Sequence, residues 1–380
     1  MRKSLLKLLV AGVLCFISPL VWGQLDNRAF QYRAPVRPEY DNQLRLAVQA
    51  FLFTKDNEYF NKIFEGRTYY GTQLATRLAY FPSPKLRLEG GIFLYKDYGN
   101  PRLRQVQPLF TAIYQTGPHR ILFGNIDAHL NHNYIEPLFD FERVMLNRLE
   151  EGMQYQYTTR RWALDAWVDW QRQQYRFSDF QERIAGGLVA DAAVVRDSSG
   201  WLVRVPFQFL AMHRGGQLDT IETPLQTLFN VASGLRVRKE VGRKFLHSWY
   251  ADAYGTFFHD YSFTRELPYK NGTGLYLNLG ADTRFSKIQL SYWRGQGFVA
   301  PQGGPLYQSV SATVRNPAYT ERNRHLLILR FFSDYRLTDG LTLSTRFEPF
   351  YDFTNRQIEF SFGTYINFNR EFRLTTLKRE

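Results

Sequence analysis

The sequence predicts an all-β protein, a transmembrane antiparallel up-and-down β-barrel of about 16 strands with short turns at one end and long loops at the other. Three observations predict it. Apolar and polar residues alternate with a period of two in many successive runs, and short and long connections alternate along the chain. Aromatic residues make up 17% of the 380 residues, yet the mean hydropathy is only −0.38. That hydropathy is too low for a bundle of membrane helices, each of which needs about 20 apolar residues.

The first segment, 1–23, has the pattern of a secretory signal peptide. Arg2, Lys3 and Lys7 form a basic start, and an apolar run leads to small residues at a cleavage position after Gly23. The apolar run is too short for a membrane-spanning helix. Cys15, the only cysteine of the sequence, lies in this segment. The exported chain would therefore have no disulfide and would depend on strand pairing and packing for its stability.

The rest of the chain divides at the first and last alternating runs. We expect three parts, namely an N-terminal periplasmic segment at 24–42, the barrel at 43–370 and a basic C-terminal tail at 371–380.

The first alternating run shows the pattern that the others repeat. Leu44 and Leu46 fall on one face of the predicted strand, and Arg45 and Gln49 fall on the other. A strand with one apolar and one polar face fits a wall between lipid and water. The pattern recurs in the runs 72–80, 86–94, 164–171, 275–282 and 358–367.

Short and long connections alternate along the chain. Every second connection is a short turn, as at Pro84, Gly117, Ser199 and Gly340, and the connections between them are mostly longer. An up-and-down barrel places all short turns at its periplasmic end and all long loops outside the cell. A soluble sandwich need not sort its loops in this way, and the sequence shows no repeated blade signature of a propeller. The longer links are 56–67, 96–105, 131–150, 173–181, 213–225, 258–271 and 294–323, with a brief one at 355–356.

The pattern from residue 43 to about 370 resembles the Gram-negative outer-membrane β-barrels of the porin type. Aromatic residues near strand ends, such as Tyr69, Tyr80 and Phe258, fit the girdles at the lipid headgroups. The resemblance implies an outer-membrane location, with outer-membrane lipid, the outer-membrane assembly machinery and further copies of the chain as partners. One departure is the basic tail, because such barrels commonly end on an aromatic residue.

A barrel of this size is expected to enclose an aqueous lumen. Acidic residues of its polar face come from strands five to eight, and arginines come from strands fourteen, fifteen and one to three. The two groups could face each other and create a transverse field that selects small polar solutes. The alternative is that the charges pair along adjacent strands. The predicted pore-lining residues are Arg45, Arg77, Arg87, Asp127, Asp165, Asp169, Asp191, Arg330 and Arg346.

Two loops stand out. The third, 131–150, is too apolar to be freely solvated, and in porin-like proteins the third loop folds into the barrel and narrows it. Its constriction candidates are Glu136, Phe139, Asp140 and Glu142. The alternative is a loop packed over the barrel mouth. The seventh loop, 294–323, is rich in glycine and proline and is long enough to form a lid.

Catalytic and metal-binding patterns are weak. His129 shares a face with Asp127 but has no serine nucleophile nearby in sequence, and His129, His132 and Glu136 lack metal-ligand spacing. His247 lies beside Ser248, which points the other way. We therefore expect no enzyme, no catalytic residue, no metal and no cofactor.

The net charge of +13 lies largely in turns, without a motif for nucleic acid. The expected function is a channel through which small polar solutes diffuse or pass with weak selectivity. Two alternatives remain open. The first is a barrel that its loops plug and that serves as a receptor or scaffold, and the second is an outer-membrane lipid hydrolase.

Overall fold

The computed structural model describes residues 27–216 and 222–377. Sixteen antiparallel strands close into one barrel, in which each strand pairs with its sequence neighbours and β1 pairs with β16. The prediction of a 16-strand up-and-down barrel is confirmed. The strands are β1 Gln43–Glu58, β2 Thr68–Ser83, β3 Leu86–Asp97, β4 Gln105–Thr116, β5 His119–Asn125, β6 Glu151–Thr158, β7 Trp162–Arg172, β8 Arg183–Arg196, β9 Trp201–Arg214, β10 Gln226–Glu240, β11 Leu246–Asp260, β12 Asn271–Thr283, β13 Lys287–Gln296, β14 Asn323–Thr338, β15 Leu341–Asp352 and β16 Gln357–Thr376.

The two faces of the wall follow the alternation of the sequence. On β2, Gln73 and Ala75 are buried inside the barrel, whereas Leu78 is 50% exposed on the outside. On β12, Asn278 is buried, and its neighbour Leu279 is 58% exposed. The large exposed side chains are apolar because this surface meets lipid.

Helical structure is confined to the loops and to the N-terminal segment. The described residues contain one short α-helix, α1 (Arg143–Leu146), and 3-10 turns at Arg28–Phe30, Pro38–Tyr40, His129–His132 and Pro305–Tyr307. In residues 27–216 and 222–377, no helix has the length and apolar character to cross a membrane.

The last strand is longer than the sequence pattern indicates. It continues to Thr376, which pairs with Gln43 at the start of β1. The first six residues of the predicted tail, 371–376, are therefore part of the barrel wall. The predicted signal peptide lies outside the described residues.

The lumen is filled by loops rather than by water alone. The third long loop, residues 126–150, lies inside the barrel, where Leu138 and Phe139 are buried. The seventh long loop, residues 297–322, covers it, with Phe298 and Tyr307 buried against the same apolar cluster. A wide barrel thus has a packed interior because apolar side chains of these two loops pack against apolar side chains on the inner face of the wall, such as Trp167 and Leu210.

The N-terminal segment also lies inside the wall, at the end that carries the short turns. Phe30 packs edge-on against Tyr365 of β16 at 5.0 Å and against Phe141 of the third loop at 5.2 Å between ring centroids. Arg33 donates a hydrogen bond of 2.9 Å to the carbonyl oxygen of Asn131. Residues 27–42 therefore meet the third loop in the middle of the barrel.

Candidate functional site

The four constriction candidates of the third loop contact the wall, the apolar cluster and the seventh loop. Glu136 binds Arg330 and accepts a 2.6 Å hydrogen bond from Tyr307. Phe139 packs among the aromatic rings of the apolar cluster. The main-chain nitrogen of Asp140 bonds the seventh loop at the Gln302 carbonyl oxygen, 2.8 Å away.

Glu142 makes the densest polar contact of this loop. Its carboxylate lies 2.7 Å from Lys55 Nζ and accepts hydrogen bonds from Asn57 at 2.6 Å and Tyr69 at 2.8 Å. Burial and the neighbouring Glu142 carboxylate raise the pKa of Asp140 to about 7. The loop is thus held by polar contacts to β1, β2 and β14 inside the barrel.

The predicted pore-lining residues all lie on the inner side of the barrel. Asp127 is just beyond the end of β5, and the other eight are on strands. Asp191 lies 2.7 Å from both Arg204 and Arg236 on the next two strands. The carboxylate of Asp169 accepts a 2.8 Å hydrogen bond from the main chain of Glu151. These acids thus have partners on neighbouring strands.

Four of the arginines also have partners close by. Arg87 binds Glu89 at 2.6 Å and also binds Glu371. Arg77 lies 3.6 Å from Glu89, and Arg45 lies 3.4 Å from Glu371. Arg330 lies 3.3 Å from Glu348 in addition to Glu136. The charges therefore meet neighbours on the wall or in a loop.

Arg346 is different because its contacts are mainly aromatic. Its guanidinium carbon lies 4.1 Å from the ring centre of Phe141 and 4.5 Å from that of Phe30. It also donates a 2.6 Å hydrogen bond to Asn27. This cation–π arrangement ties the third loop and the N-terminal segment to β15.

The barrel wall is lowest where the third loop leaves it. The last pair between β4 and β5 is Thr111 with Gly124, so residues 105–110 of β4 extend beyond β5 without a partner from it. At about 3.3 Å per residue this free edge is roughly 20 Å long. We call this gap above β5 and β6 the notch. Asn125 closes its lower corner, since its side chain accepts a 2.9 Å hydrogen bond from Phe110 N.

A charged histidine anchors the loop below the notch. His132 lies between two carboxylates, with Nε2 2.8 Å from Glu150 and Nδ1 2.9 Å from Asp165, and its ring stacks on Trp167 at 4.4 Å. Burial acts against the charge, but Glu150 and Asp165 outweigh it and raise the pKa of His132 to about 9. His132 is therefore protonated at neutral pH.

His129 is also bound to Glu150 but has the opposite protonation. Its Nδ1 lies 3.1 Å from the Glu150 carboxylate, and its main-chain nitrogen donates a 3.4 Å hydrogen bond to the same group. Neither ring nitrogen has a well-aligned hydrogen-bond partner among the residues that the structure describes. Burial lowers the pKa of His129, so the ring is neutral at pH 7. The two histidines outweigh the burial of Glu150 and hold its pKa well below the usual value. A neutral histidine beside an ionised carboxylate has the arrangement of a general base.

His129 lines a cavity of about 100 Å³ between the loop and the wall. The wall side comes from β1 to β5 and from β16. The rest of the lining comes from the third loop, including Asp127 and Glu150, and from the N-terminal segment. His129 and Glu150 thus face a space that can hold several water molecules or a small group.

Sequence reasoning considered His129 but missed its partner. Glu150 lies 21 positions further along the chain, and only the fold of the loop brings the two side chains together. Glu136, which was considered as a metal ligand with the two histidines, instead forms an ion pair with Arg330. No periodic pattern marks Glu150, because the loop has no regular structure over most of its length.

The fold is similar to those of solved outer-membrane proteins. A loop-deletion mutant of OmpT from Vibrio cholerae is 11% identical, with a TM-score of 0.51 over 86% of this chain and 100% of that chain. OccK11 (OpdR) of Pseudomonas aeruginosa is 12% identical, with a TM-score of 0.50 over 88% of this chain and 96% of that chain. These similarities concern the fold alone. The protein is a barrel of the Gram-negative outer membrane.

The sequence matches none of the curated proteins with which it was compared. It does match a protein family described as Lipid A 3'-O-deacylase-type, over residues 36–377. This description is that of an enzyme family, so the expectation that the protein is not an enzyme is wrong. The match covers the sixteen strands and the loops that fill them. This chain therefore belongs to the Lipid A 3'-O-deacylase-type family.

Proposed function

We propose that this protein is an outer-membrane hydrolase that removes an ester-linked acyl chain from a lipid of the lipid A class. The observation that carries the proposal is His129, which lines a cavity beside the notch, has no hydrogen-bond partner at Nε2 among the described residues, and has Nδ1 3.1 Å from Glu150. The family match supports the same class of substrate.

His129 would act as the general base in this reaction. Its neutral ring takes a proton from water through Nε2, while ionised Glu150 orients the ring and stabilises the imidazolium that forms. The hydroxide adds to the ester carbonyl carbon, and the carbon–oxygen bond to the sugar then breaks. The leaving alkoxide takes the proton back from His129, so the products are an alcohol and a carboxylic acid.

The notch explains how a lipid would reach this group. It lies at the long-loop end of the wall, which faces the outer leaflet where lipid A resides. Around it the outer surface is apolar, with Val106, Phe110 and Phe123 exposed at 57%, 54% and 57%. An acyl chain can stay in contact with this surface while the ester enters above β5, without passing down the lumen.

The test uses the full-length protein purified in a neutral detergent and supplied with lipid A. We expect the wild type to release fatty acid. We expect His129→Asn to release it at least about a hundredfold more slowly, and Glu150→Gln to be slower as well. His259→Asn is the matched control, because His259 is on the exposed side of the wall at β11. Equal rates for wild type and His129→Asn, or no release by the wild type, would refute the proposal.

The pH dependence gives a second readout. Because burial lowers the pKa of His129, kcat/KM should be flat through neutrality and should fall only at acid pH, where the base becomes protonated.

Passage of small solutes is a second proposal. It is supported by the closed 16-strand wall and by the inward position of the charged residues, including Arg77 and Asp165. It requires the third and seventh loops to leave the lumen, which a conductance measurement can detect.

A further inference from the structure

The cavity beside His129 collects buried polar atoms that lack partners. In the described parts of the chain, these atoms have no hydrogen-bond partner, although nearly all buried polar groups in proteins are paired. Atoms that share one cavity and lack partners indicate a ligand or ordered water there. They are Oε1 of Gln73, Nε2 of His129, Oδ1 of Asn131 and Nη1 of Arg148.

Arg148 is the strongest of these groups. Within 27–216 and 222–377 it has no carboxylate closer than 4.0 Å, whereas Arg87, also inside the barrel, binds two. Its guanidinium lies 5.1 Å from the ring centre of Phe51. Burial and the nearby positive charge of Arg77 lower the pKa of Arg148 to about 10, so it is still charged at pH 7. Arg148 is half-buried, and a positive charge without a counterion is costly there, so an anion in the cavity would reduce that cost.

The remaining lining determines which anion fits. One side of the cavity is apolar and includes Phe51, Phe93, Ile113 and Leu122. Phosphate or sulfate would leave this side without favourable contacts. A carboxylate that carries a few methylene groups satisfies both sides, and about 100 Å³ accommodates a group of that size.

We propose that this cavity binds the carboxylate end of a fatty acid, with the carboxylate on Arg148 and the first carbons against Phe51 and Phe93. The inference rests on the proposed function, since ester hydrolysis at neutral pH yields an alcohol, a carboxylate and one proton that goes to solvent. The carboxylate of the released fatty acid would thus bind in the cavity before the fatty acid leaves the protein.

The test measures binding without turnover. The unfolding temperature of the full-length protein in neutral detergent is recorded with sodium butyrate, with sodium phosphate and with sodium chloride at equal ionic strength. We expect butyrate to raise the unfolding temperature more than either other salt, because it binds the folded state. Arg148→Gln should lose this rise, and Arg148→Lys, which keeps the charge, should retain part of it. Arg336→Gln, which changes an exposed side chain near the end of β14, should keep all of it.

The outcomes separate the two proposals. An equal butyrate effect in wild type and Arg148→Gln, or none in the wild type, would overturn the anion site. A larger effect of phosphate than of butyrate would overturn the carboxylate and point to a lipid headgroup phosphate. Butyrate binding and the release of fatty acid are measured separately. Absence of hydrolysis by the wild type would therefore refute the proposed function, independently of whether Arg148 binds butyrate.

Discussion

At the scale of single residues, the histidine pair of the third loop shows how one carboxylate sets two protonation states. Glu150 contacts both rings, but His132 has a second carboxylate, Asp165, at 2.9 Å and His129 does not. Burial disfavours the charged form of both rings, and only His132 has enough compensation to keep its proton. One histidine can therefore anchor the loop while the other remains a free base.

This difference predicts a pH dependence of stability. The pKa of His132 is about 9 in the folded protein and about 6.5 when unfolded, so its stabilising effect is complete below pH 6.5 and is lost as the pH rises through 9. The effect is on the order of 3 kcal/mol. Unfolding in lipid vesicles should show the free energy falling over this range in the wild type and a smaller fall in His132→Asn. The same slope in both proteins would mean that His132 is uncharged. His259→Asn is the control.

A second residue prediction concerns contact with lipid. Leu277 points outward on β12, whereas its neighbour Asn278 is buried inside. Leu277→Arg should lower the free energy of unfolding by about 2–4 kcal/mol if the residue lies near the bilayer midplane. Any loss of stability in Asn278→Arg should come from the packed interior and not from contact with lipid. In thicker bilayers the penalty at Leu277 should grow and that at Asn278 should not. Reversible unfolding in vesicles of two lipid chain lengths measures both.

At the scale of elements, strands were predictable and loops were not. Strand order and inward faces follow from local alternation, as the burial of Arg45 and Ala47 on β1 shows. The sequence also indicated that the third loop is too apolar for solvent. The partners of its side chains were not predictable, because contacts such as Glu142 with Lys55 join positions 87 residues apart. The end of β16 was misjudged because the charged residues of 371–380 suggest a tail, although Phe372 and Leu374 are apolar and the strand pairs with β1 as far as Thr376.

The N-terminal segment supplies a prediction at this scale. Phe30 is 4% exposed and contacts Phe51, Phe141 and Tyr365. Phe30→Ala should lower the free energy of unfolding by about 3 kcal/mol, because it removes a buried ring and leaves a cavity. Phe285→Ala, at an exposed turn, should have little effect. Unfolding by urea in vesicles compares the two, and equal values would show that the segment does not hold the interior together.

At the scale of the whole molecule, the barrel has the strand number of a pore and the interior of a packed domain. The apolar cluster includes residues of the wall, of the third loop and of the seventh loop, so neither loop can leave without exposing the other. We expect the wild type to conduct poorly in planar bilayers.

Replacing residues 133–146 by a short glycine–serine linker should increase the single-channel conductance, because it removes Leu138, Phe139 and Phe141 from the lumen. Shortening an exterior loop, such as residues 98–103, is the matched control and should leave conductance low. High conductance of the wild type would mean that the loops leave the lumen in the membrane and would favour the solute-passage proposal.

The position of Phe30 also constrains the order of events in assembly. Its ring rests on Phe51 of the first strand and Tyr365 of the last, which adjoin at the seam where the barrel closes. This binding surface does not exist until the last strand has been synthesised and joined to the first. The segment is made before every strand, but it is the part of the chain that must dock after closure. Its docking therefore reports that the seam has formed, and a barrel that stays open has a free N-terminal segment.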